Sequence, residues 1–428
     1  MERTYIKDIA PGRKRISGFV ENFRNKRTMA FIVVRDYTGK LQVTIVKEEH
    51  PELAELLDKL TLQSVVTFEG EVVANEYVKL GGIEMLPDTM KIESLADAIP
   101  IKDDSDIDVR MDYRWIDLRR ERNLLMLKMQ TTLTAAMREF LAKRGFIEIH
   151  TPKLIAAASE SGSDVFEVKY FDTNAYLAQS PQFYKQMAMA SGLERIFETG
   201  PVFRAEKSYT SKHATEFSGF DLEFSYINSY DDVMKMEEEL LAYAFERVKA
   251  NHGDAIKELF DLEVIVPTLP FPRMKLADVY RELEERYGYT APDEVKGDLT
   301  TDAERLIKRL SLDKYGHEFL FVTDYDAKER AFYHMRDENG VPQGYDLIWR
   351  GVEITTGAQR EHRYDILKAQ AEEKGLADDV QFYLQFFKYG CPPHGGFGLG
   401  IDRLTMLFLG ITIKEAEFLF RGPNRLTP

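Results

Sequence analysis

The sequence predicts an α+β protein, with a small all-β module at the N-terminus and then a larger region in which a mainly antiparallel sheet is flanked by helices. Three observations carry that expectation. Residues 15 to 95 read as short strands separated by turn residues, with period-2 alternation of apolar and polar side chains. Beyond residue 121 strand and helix patterns alternate, and many connections look like hairpins rather than crossovers. Neither GxxxxGK[ST] nor a GxGxxG between a strand and a helix occurs, so any ATP site must use another architecture.

The N-terminal strands are RISGFVENF, MAFIVVRDYTGKLQVTIVK, SVVTFEGEVVANEY and YVKLGGIEML. In LQVTIV, Leu41, Val43 and Ile45 fall on one face and Gln42 and Thr44 on the other. Gly39 stands where a hairpin turn needs positive φ. With a helical interruption at PELAELLDKL, five short strands suggest a small barrel of the OB type, a fold that commonly binds oligonucleotides. Residues 1–100 are assigned to it, and the polar stretch 101–120 to a hinge or linker. A helix begins near residue 121, where Leu133, Met137, Phe140 and Leu141 share a stripe and Lys143, Arg144 and Gly145 supply a C-terminal charge and cap. FIEIHTPKL follows as a strand closed by Pro152. Further strands are expected at 165–171, 195–205, 219–227, 318–325, 344–356 and 396–401.

At 428 residues the chain is longer than one ordinary core, and 44% apolar with 30% charged residues is a globular composition. The single cysteine, Cys391, excludes an intramolecular disulfide framework and fits a reducing, cytoplasmic compartment. The opening MERTYIKDIAPGRKR lacks the apolar segment of a signal peptide, and the longest apolar runs, such as LTMLFLGITI, are too short to span a bilayer. Net charge is −15, which argues against a nucleic-acid partner for the body of the chain. Residues 1–50, however, hold eleven Lys/Arg against six Asp/Glu, an admissible local footprint for an anionic polymer.

Four stretches concentrate the chemistry. SPQFYKQ at 180–186 carries Gln182 and Lys185. FRAEKSYTSKHATEFSGFDLEF at 203–224 puts Arg204 and Glu206 on one strand face and returns as a second strand bearing Phe217, Asp221 and Glu223. RGVEITTGAQREHRYDIL at 350–367, preceded by Asp346, ends an apolar β-branched run in Glu353, Thr356, Gln359, Arg360, His362 and Arg363. Groups of this kind buried without partners cost ~1–3 kcal/mol each, so this strand end reads as a ligand site. HGGFGLGIDRL at 394–404 is a glycine-rich strand entering a helix, where glycines admit a close approach and Arg403 can meet a phosphate.

Taken together these stretches resemble the class II aminoacyl-tRNA synthetases. FRAE with its downstream returning strand is similar to motif 2. RGVEITTGAQR with Asp346, PPHGGFGLGIDR and the terminal RLTP resemble motif 3 and its surroundings, and GFIEIHTP at 145–152 looks like motif 1, whose proline sits at the dimer interface in that family. The subgroup with an N-terminal OB domain handles aspartate, asparagine and lysine, and the details match the aspartyl enzymes of archaeal and eukaryotic type. The resemblance implies that 1–100 binds the anticodon, that 121–428 is the catalytic domain, and that the partners are tRNA, ATP and L-aspartate, with Mg²⁺ as cofactor and a homodimer as assembly.

The same resemblance implies the site. Arg204 would bridge the aspartate carboxylate and the α-phosphate as the catalytic residue. Glu160, Gln182, Lys185, Asp221, Thr356 and Arg360 would hold aspartate. Glu206, Lys212, His213, Phe217, Glu353, Gly400, Ile401, Asp402 and Arg403 would hold a bent ATP, with adenine between Phe217 and Arg403. Asp346 and Glu353, with the Thr356 hydroxyl, would hold Mg²⁺, as hard oxygen donors suit. Arg24, Phe31 and Gln42 fall where the family contacts the anticodon.

The chain departs from the archaeal pattern at Lys212, Ala214, Ser218 and Gly422, near ATP and the acceptor end, and at Phe19, where the first barrel strand usually carries Trp. An asparaginyl enzyme is a second reading, set against by TTGAQR where that relative has Gly-Gly-Ser-Gln-Arg. A non-catalytic RNA-binding paralogue is a third, set against by the joint presence of Arg204, Asp346, Glu353, Arg360 and Arg403. The residues leave open whether tRNA(Asn) is charged as well.

Overall fold

The computed structural model describes residues 1–156, 165–208, 210 and 212–428. Its chain divides into two compact units, Met1–Asp117 and Leu118–Pro428.

In the first unit, strands β1 (Gly12–Asn25), β2 (Met29–Arg35), β3 (Lys40–Val46), β4 (Val65–Ala74) and β5 (Ile83–Ser94) close into a barrel in the order β1-β2-β3-β5-β4. Closure is possible because each strand alternates: Ile16, Val20, Ile32, Val34, Val43, Ile45, Val66, Phe68 and Met85 fill the interior. The expected helical interruption is Pro51–Leu57, which turns Leu53 and Leu57 into that core. Gly39 does not adopt positive φ. The β2–β3 turn is closed by Asp36 instead, whose carboxylate accepts from Thr38 N (2.7 Å) and Gly39 N (3.0 Å). What Gly39 supplies is room, since a Cβ there would come within 3.2 Å of Ile6. Residues 101–120 include short helices at Ile107–Asp112 and Arg114–Asp117.

The second unit is built on eight strands: β6 (Ile147–Glu148), β10 (Arg195–Phe203), β11 (Glu216–Ser225), β12 (Arg273–Lys275), β13 (Phe319–Thr323), β14 (Gly344–Trp349), β15 (Val352–Gln359) and β16 (His394–Gly400). Their order is β12-β13-β14-β15-β16-β11-β10-β6, and all neighbours are antiparallel except β12–β13 and β10–β6. Between β6 and β10 in the chain, β7 (Leu154–Ile155), β8 (Glu167–Tyr170) and β9 (Thr173–Leu177) make a small separate sheet. The strand expected from FIEIHTPKL is therefore only the two-residue β6, paired with β10 at Ile147 and Glu148 before Pro152.

Helices Glu121–Ala142 and Tyr230–Phe260 cover one face of the large sheet. The predicted stripe Leu133, Met137, Phe140 and Leu141 is buried there, and Gly145 ends the turn at φ +79°. Along β11, Phe220, Leu222 and Phe224 point to these helices, as do Phe397 and Leu399 of β16. The alternate residues, Gly219, Asp221 and Gly398 among them, are thereby left to line a cleft on the other face.

Candidate active site

A cleft of about 340 Å³ lies over the middle of the sheet, lined among others by Gln182, Lys185, Arg204, Phe217, Asp221, Glu353, Thr356, Arg360 and Arg403. A second recess, sharing Arg204, Phe217 and Arg403 with it, adds Glu206, Lys212, His213 and Asp402. Side chains spread over more than 200 positions of sequence thus meet in one continuous depression. Glu160 lies outside the described residues.

At one end, four buried charges interlock. Lys185, on helix Gln182–Ala190, donates to Asp221 Oδ1 (2.9 Å) and Phe397 O (3.2 Å) and stands 3.5 Å from Glu223 Oε2. Arg360, just past β15, donates through Nε to Glu223 Oε1 (2.9 Å) and through Nη2 to Gly396 O (2.9 Å). Glu223 is fully buried; burial alone would raise its carboxyl, yet Arg360 and then Lys185 hold it below the usual range. The glycine-rich strand explains how these carboxylates fit. A Cβ at Gly396 would fall on Leu222 O and the Glu223 carboxylate, and one at Gly398 would stand 2.9 Å from Asp221 Oδ1. The close approach anticipated for these glycines is made by acidic side chains of the neighbouring strand.

Behind Lys185 a polar chain fixes the wall. Gln182 Nε2 and Tyr383 OH both donate to Gln186 Oε1 (2.8 Å each), and Gln186 Nε2 lies 3.1 Å from His394 Nε2. His394 Nδ1 is 2.8 Å from Pro392 O, which assigns the proton to Nδ1 and leaves Nε2 as acceptor. Burial pushes this imidazole down to about 4, so it stays neutral.

At the other end, Arg204 sits with its guanidinium 5.6 Å from the Phe217 ring. β10 ends at Phe203, so Arg204 and Glu206 do not share a strand face as expected; the hairpin continues only through Arg204 N to Thr215 O (2.9 Å), and Glu206 lies beyond it. His213 is driven towards the neutral imidazole by burial, then by Arg403 and Lys212. Gly400 closes β16, and Ile401, Asp402 and Arg403 open helix Ile401–Leu409. Asp402 accepts from Ser218 N (2.8 Å) and Gln130 Nε2 (3.0 Å), tying helix to strand, and burial lifts its carboxyl to about 6. Arg403 donates to Glu353 O at 2.9 Å.

Asp346, Glu353 and Thr356 converge because of a bulge. β14 and β15 pair Leu347 with Thr355 but Ile348 with Glu353, so Ile354 is the extra residue. The slip turns Glu353 to the same side as Thr356, which regular period-2 alternation would forbid. Thr356 Oγ1 stands 2.9 Å from Asp346 Oδ1 and 3.3 Å from Glu353 Oε1. Burial, then Asp346, raises the Glu353 carboxyl, an acidic crowding that a divalent cation relieves. The donor chemistry therefore fits a hard cation, but Arg330 already takes both oxygens of Asp346 (2.9 and 2.5 Å), leaving Glu353 and Thr356 as the open donors. Among the described residues no group of three or more His, Cys, Asp or Glu is arranged to hold a metal, so the protein would supply only part of the shell.

On the barrel, Arg24 pairs with Phe31 across β1–β2, and its guanidinium is 5.8 Å from that ring. Gln42 Nε2 lies 3.2 Å from Thr44 Oγ1 and from Glu84 Oε2. These residues share the outer face, with the Gln42 amide oriented by Glu84.

Sequence reasoning assigned no role to Glu223, Arg330, Glu304 or Glu84. Glu223 alone carried a signal, its period-2 spacing from Asp221; the others are brought in by folding over distances that no local pattern records.

Residues 106–420 match the family of class II tRNA synthetases (D, K and N), and residues 14–93 match the OB-fold nucleic acid binding domain. The chain is 42% identical to the Aspartate--tRNA(Asp/Asn) ligase of Methanopyrus kandleri, over 100% of both chains. It is 40% identical to the Aspartate--tRNA(Asp) ligase of Pyrococcus abyssi, over 97% of this chain and 96% of that one. Among solved structures, the asparaginyl-tRNA synthetase of Pyrococcus horikoshii complexed with asparaginyl-adenylate has a TM-score of 0.92 at 33% identity, covering 100% of both chains. Barrel, antiparallel sheet, cleft and matched family converge on one conclusion: the chain belongs to the class II tRNA synthetases of the D, K and N group.

Proposed function

We propose that this chain activates L-aspartate with ATP and transfers it to the 3′ end of tRNA(Asp). The observation that carries the choice of amino acid is the convergence of Lys185 and Arg360 on one end of the cleft. An aspartate side chain brings the carboxylate that such cations recognise, whereas asparagine turns N–H donors towards donors. Aspartate enters with Gln182 and Asp221 beside its ammonium group, and ATP lies along Glu206, Lys212, His213 and Arg403, with adenine against Phe217. The aspartate α-carboxylate oxygen attacks the α-phosphorus in line, the new O–P bond forming as the bond to pyrophosphate breaks. The nucleophile is already ionised, so positioning and charge stabilisation by Arg204 do the work. Glu353 and Thr356, beside Asp346, would hold Mg²⁺, which would supply neutralisation of the phosphate charge. A tRNA 3′-terminal hydroxyl then displaces AMP from the adenylate. The barrel offers Arg24, Phe31 and Gln42 to anticodon bases, one stacking on Phe31.

Asparagine activation is the second reading, favoured by the full-length similarity to an asparaginyl enzyme. Aspartate-dependent exchange between pyrophosphate and ATP decides between them. Wild type should prefer aspartate to asparagine by roughly three orders of magnitude, the range for sites whose buried polar groups would go unpaired, and Arg360→Gln should collapse that ratio. Equal activation of both amino acids overturns the assignment. Charging of tRNA(Asp) and tRNA(Asn) transcripts then defines the acceptor. The proposal includes a homodimer, supported by Ile147, 49% exposed on β6 at the sheet's edge; sedimentation as a monomer at micromolar concentration contradicts it.

A further inference from the structure

We infer that Glu304, on helix Thr301–Tyr315, is a positioning residue that holds Lys212 while the nucleotide recess is open and yields it to the triphosphate. The inference rests on the ATP site just proposed. Lys212 Nζ meets Glu304 Oε2 at 2.7 Å, and the two side chains are only 17% and 10% exposed. The same Glu304 oxygen lies 3.5 Å from Glu353 N, which places this carboxylate against Glu353 and its neighbour Asp346.

Each of these three carboxylates has a cation beside it. Arg330 takes Asp346, Arg403 lies 3.8 Å from the Glu353 carboxylate, and Lys212 takes Glu304. The three cations differ in how firmly they are held. Arg330 is clamped by two hydrogen bonds to Asp346 and stacked 3.5 Å from the Tyr325 ring centroid. Arg403 belongs to a helix and donates to a backbone carbonyl. Among the described residues Lys212 is held by one ion pair, to Glu304; it stands between β10 and β11 outside any strand or helix, and lines the recess shared by Arg204, His213 and Phe217. An ammonium group on a four-carbon stem is the kind of cation that changes partner. A polyphosphate, with several negative charges, competes strongly for it against one carboxylate.

ATP must therefore compete with Glu304 for Lys212, so the pair raises the wild-type KM for ATP.

The test is exchange between pyrophosphate and ATP by the full chain, at saturating aspartate, with ATP varied at low and at high salt. Glu304→Gln should lower the KM for ATP roughly two- to fivefold at low salt, the worth of a partly exposed ion pair, with kcat within about twofold, and the difference should shrink at high salt. Lys212→Met should raise KM, and adding Glu304→Gln to it should produce no further change. A purely structural pair predicts a lowered melting temperature with KM unchanged or raised, and that result overturns the inference. If Glu304→Gln does not fold, Glu304→Asp, which withdraws the carboxylate by one methylene, must lower KM in the same direction or the inference falls. Failure of the underlying reading is distinct, because wild type itself would then show no aspartate-dependent exchange.

Discussion

Replacing Glu223 by Gln keeps its volume and removes one charge from the most enclosed part of the cleft. Wild type balances Lys185 and Arg360 against Asp221 and Glu223, with Glu223 accepting from Arg360 Nε and lying 3.5 Å from Lys185. The variant leaves two buried cations facing one carboxylate, and it turns an amide N–H towards a guanidinium. Removing one partner of a buried pair costs ~3–5 kcal/mol. At ~2–4 °C per kcal/mol for large domains, the melting temperature should fall by roughly 6 °C or more. Arg360 also loses the contact that fixes its direction, so aspartate-dependent exchange should drop at least ~100-fold in kcat/KM, or about 2.7 kcal/mol, with asparagine affected less. Calorimetry and exchange kinetics on the same preparation read both effects. A melting temperature within about 2 °C of wild type, together with an unchanged aspartate-to-asparagine ratio, would refute this balance of charges.

Glu237 is buried beneath the sheet, accepting from Tyr345 OH at 2.7 Å, and burial raises its carboxyl to about 8. An unfolded Glu ionises near 4.5, so the folded state loses stability relative to the unfolded as pH climbs from about 4.5 to 8, by about 1.4 kcal/mol per unit; Glu237→Gln should abolish that slope, and parallel denaturation curves for both proteins across this range would contradict it. Gly398→Ala sets a Cβ 2.9 Å from Asp221 Oδ1 and must displace the carboxylate that receives Lys185, so the KM for aspartate should rise about tenfold or more at a stability cost of ~1–3 kcal/mol; an unaltered KM at full stability counts against this reading of the glycine strand. Phe31→Ala with Gln42→Ala should weaken tRNA charging while sparing amino-acid activation, and equal loss of both steps would make the barrel's outer face structural.

How much of this was legible in the sequence depended on the range of the interaction. Period-2 alternation placed Leu41, Val43 and Ile45 inside the barrel because the alternation is itself the cause of their burial. The stripe at Leu133, Met137 and Phe140 was legible for the same reason. Gly39 shows the limit: its local context read as a turn needing positive φ, whereas the Asp36 carboxylate closes the turn and Ile6, from a distant segment, crowds the place a Cβ would take. Glu353 and Thr356 are three residues apart, a spacing that puts them on opposite faces of a regular strand. The resemblance placed them at one site, and only the bulge at Ile354 says how that is achieved. Arg330 and Glu304 were invisible because a lone Arg or Glu is most often a solvated residue, and nothing nearby in the chain marks these two as partners of Asp346 and Lys212.

The strand exit at 353–363 is held by ion pairs among its own side chains and their neighbours. Unsatisfied polar groups there would be costly, yet the structure leaves few: Arg360 is neutralised by Glu223, Asp346 by Arg330, and Arg363 by Glu361 at 2.7 Å. At this strand exit the charges are thus paired with one another, and a ligand that recruits Arg360 must exchange partners with Glu223. Such a cleft binds weakly any ligand that satisfies only one sign of charge, since each cation recruited leaves a carboxylate behind. A zwitterionic amino acid with an acidic side chain, arriving with a polyphosphate and its cation, supplies both signs at once. Selectivity then follows from the same balance that makes the empty cleft tolerable to the fold.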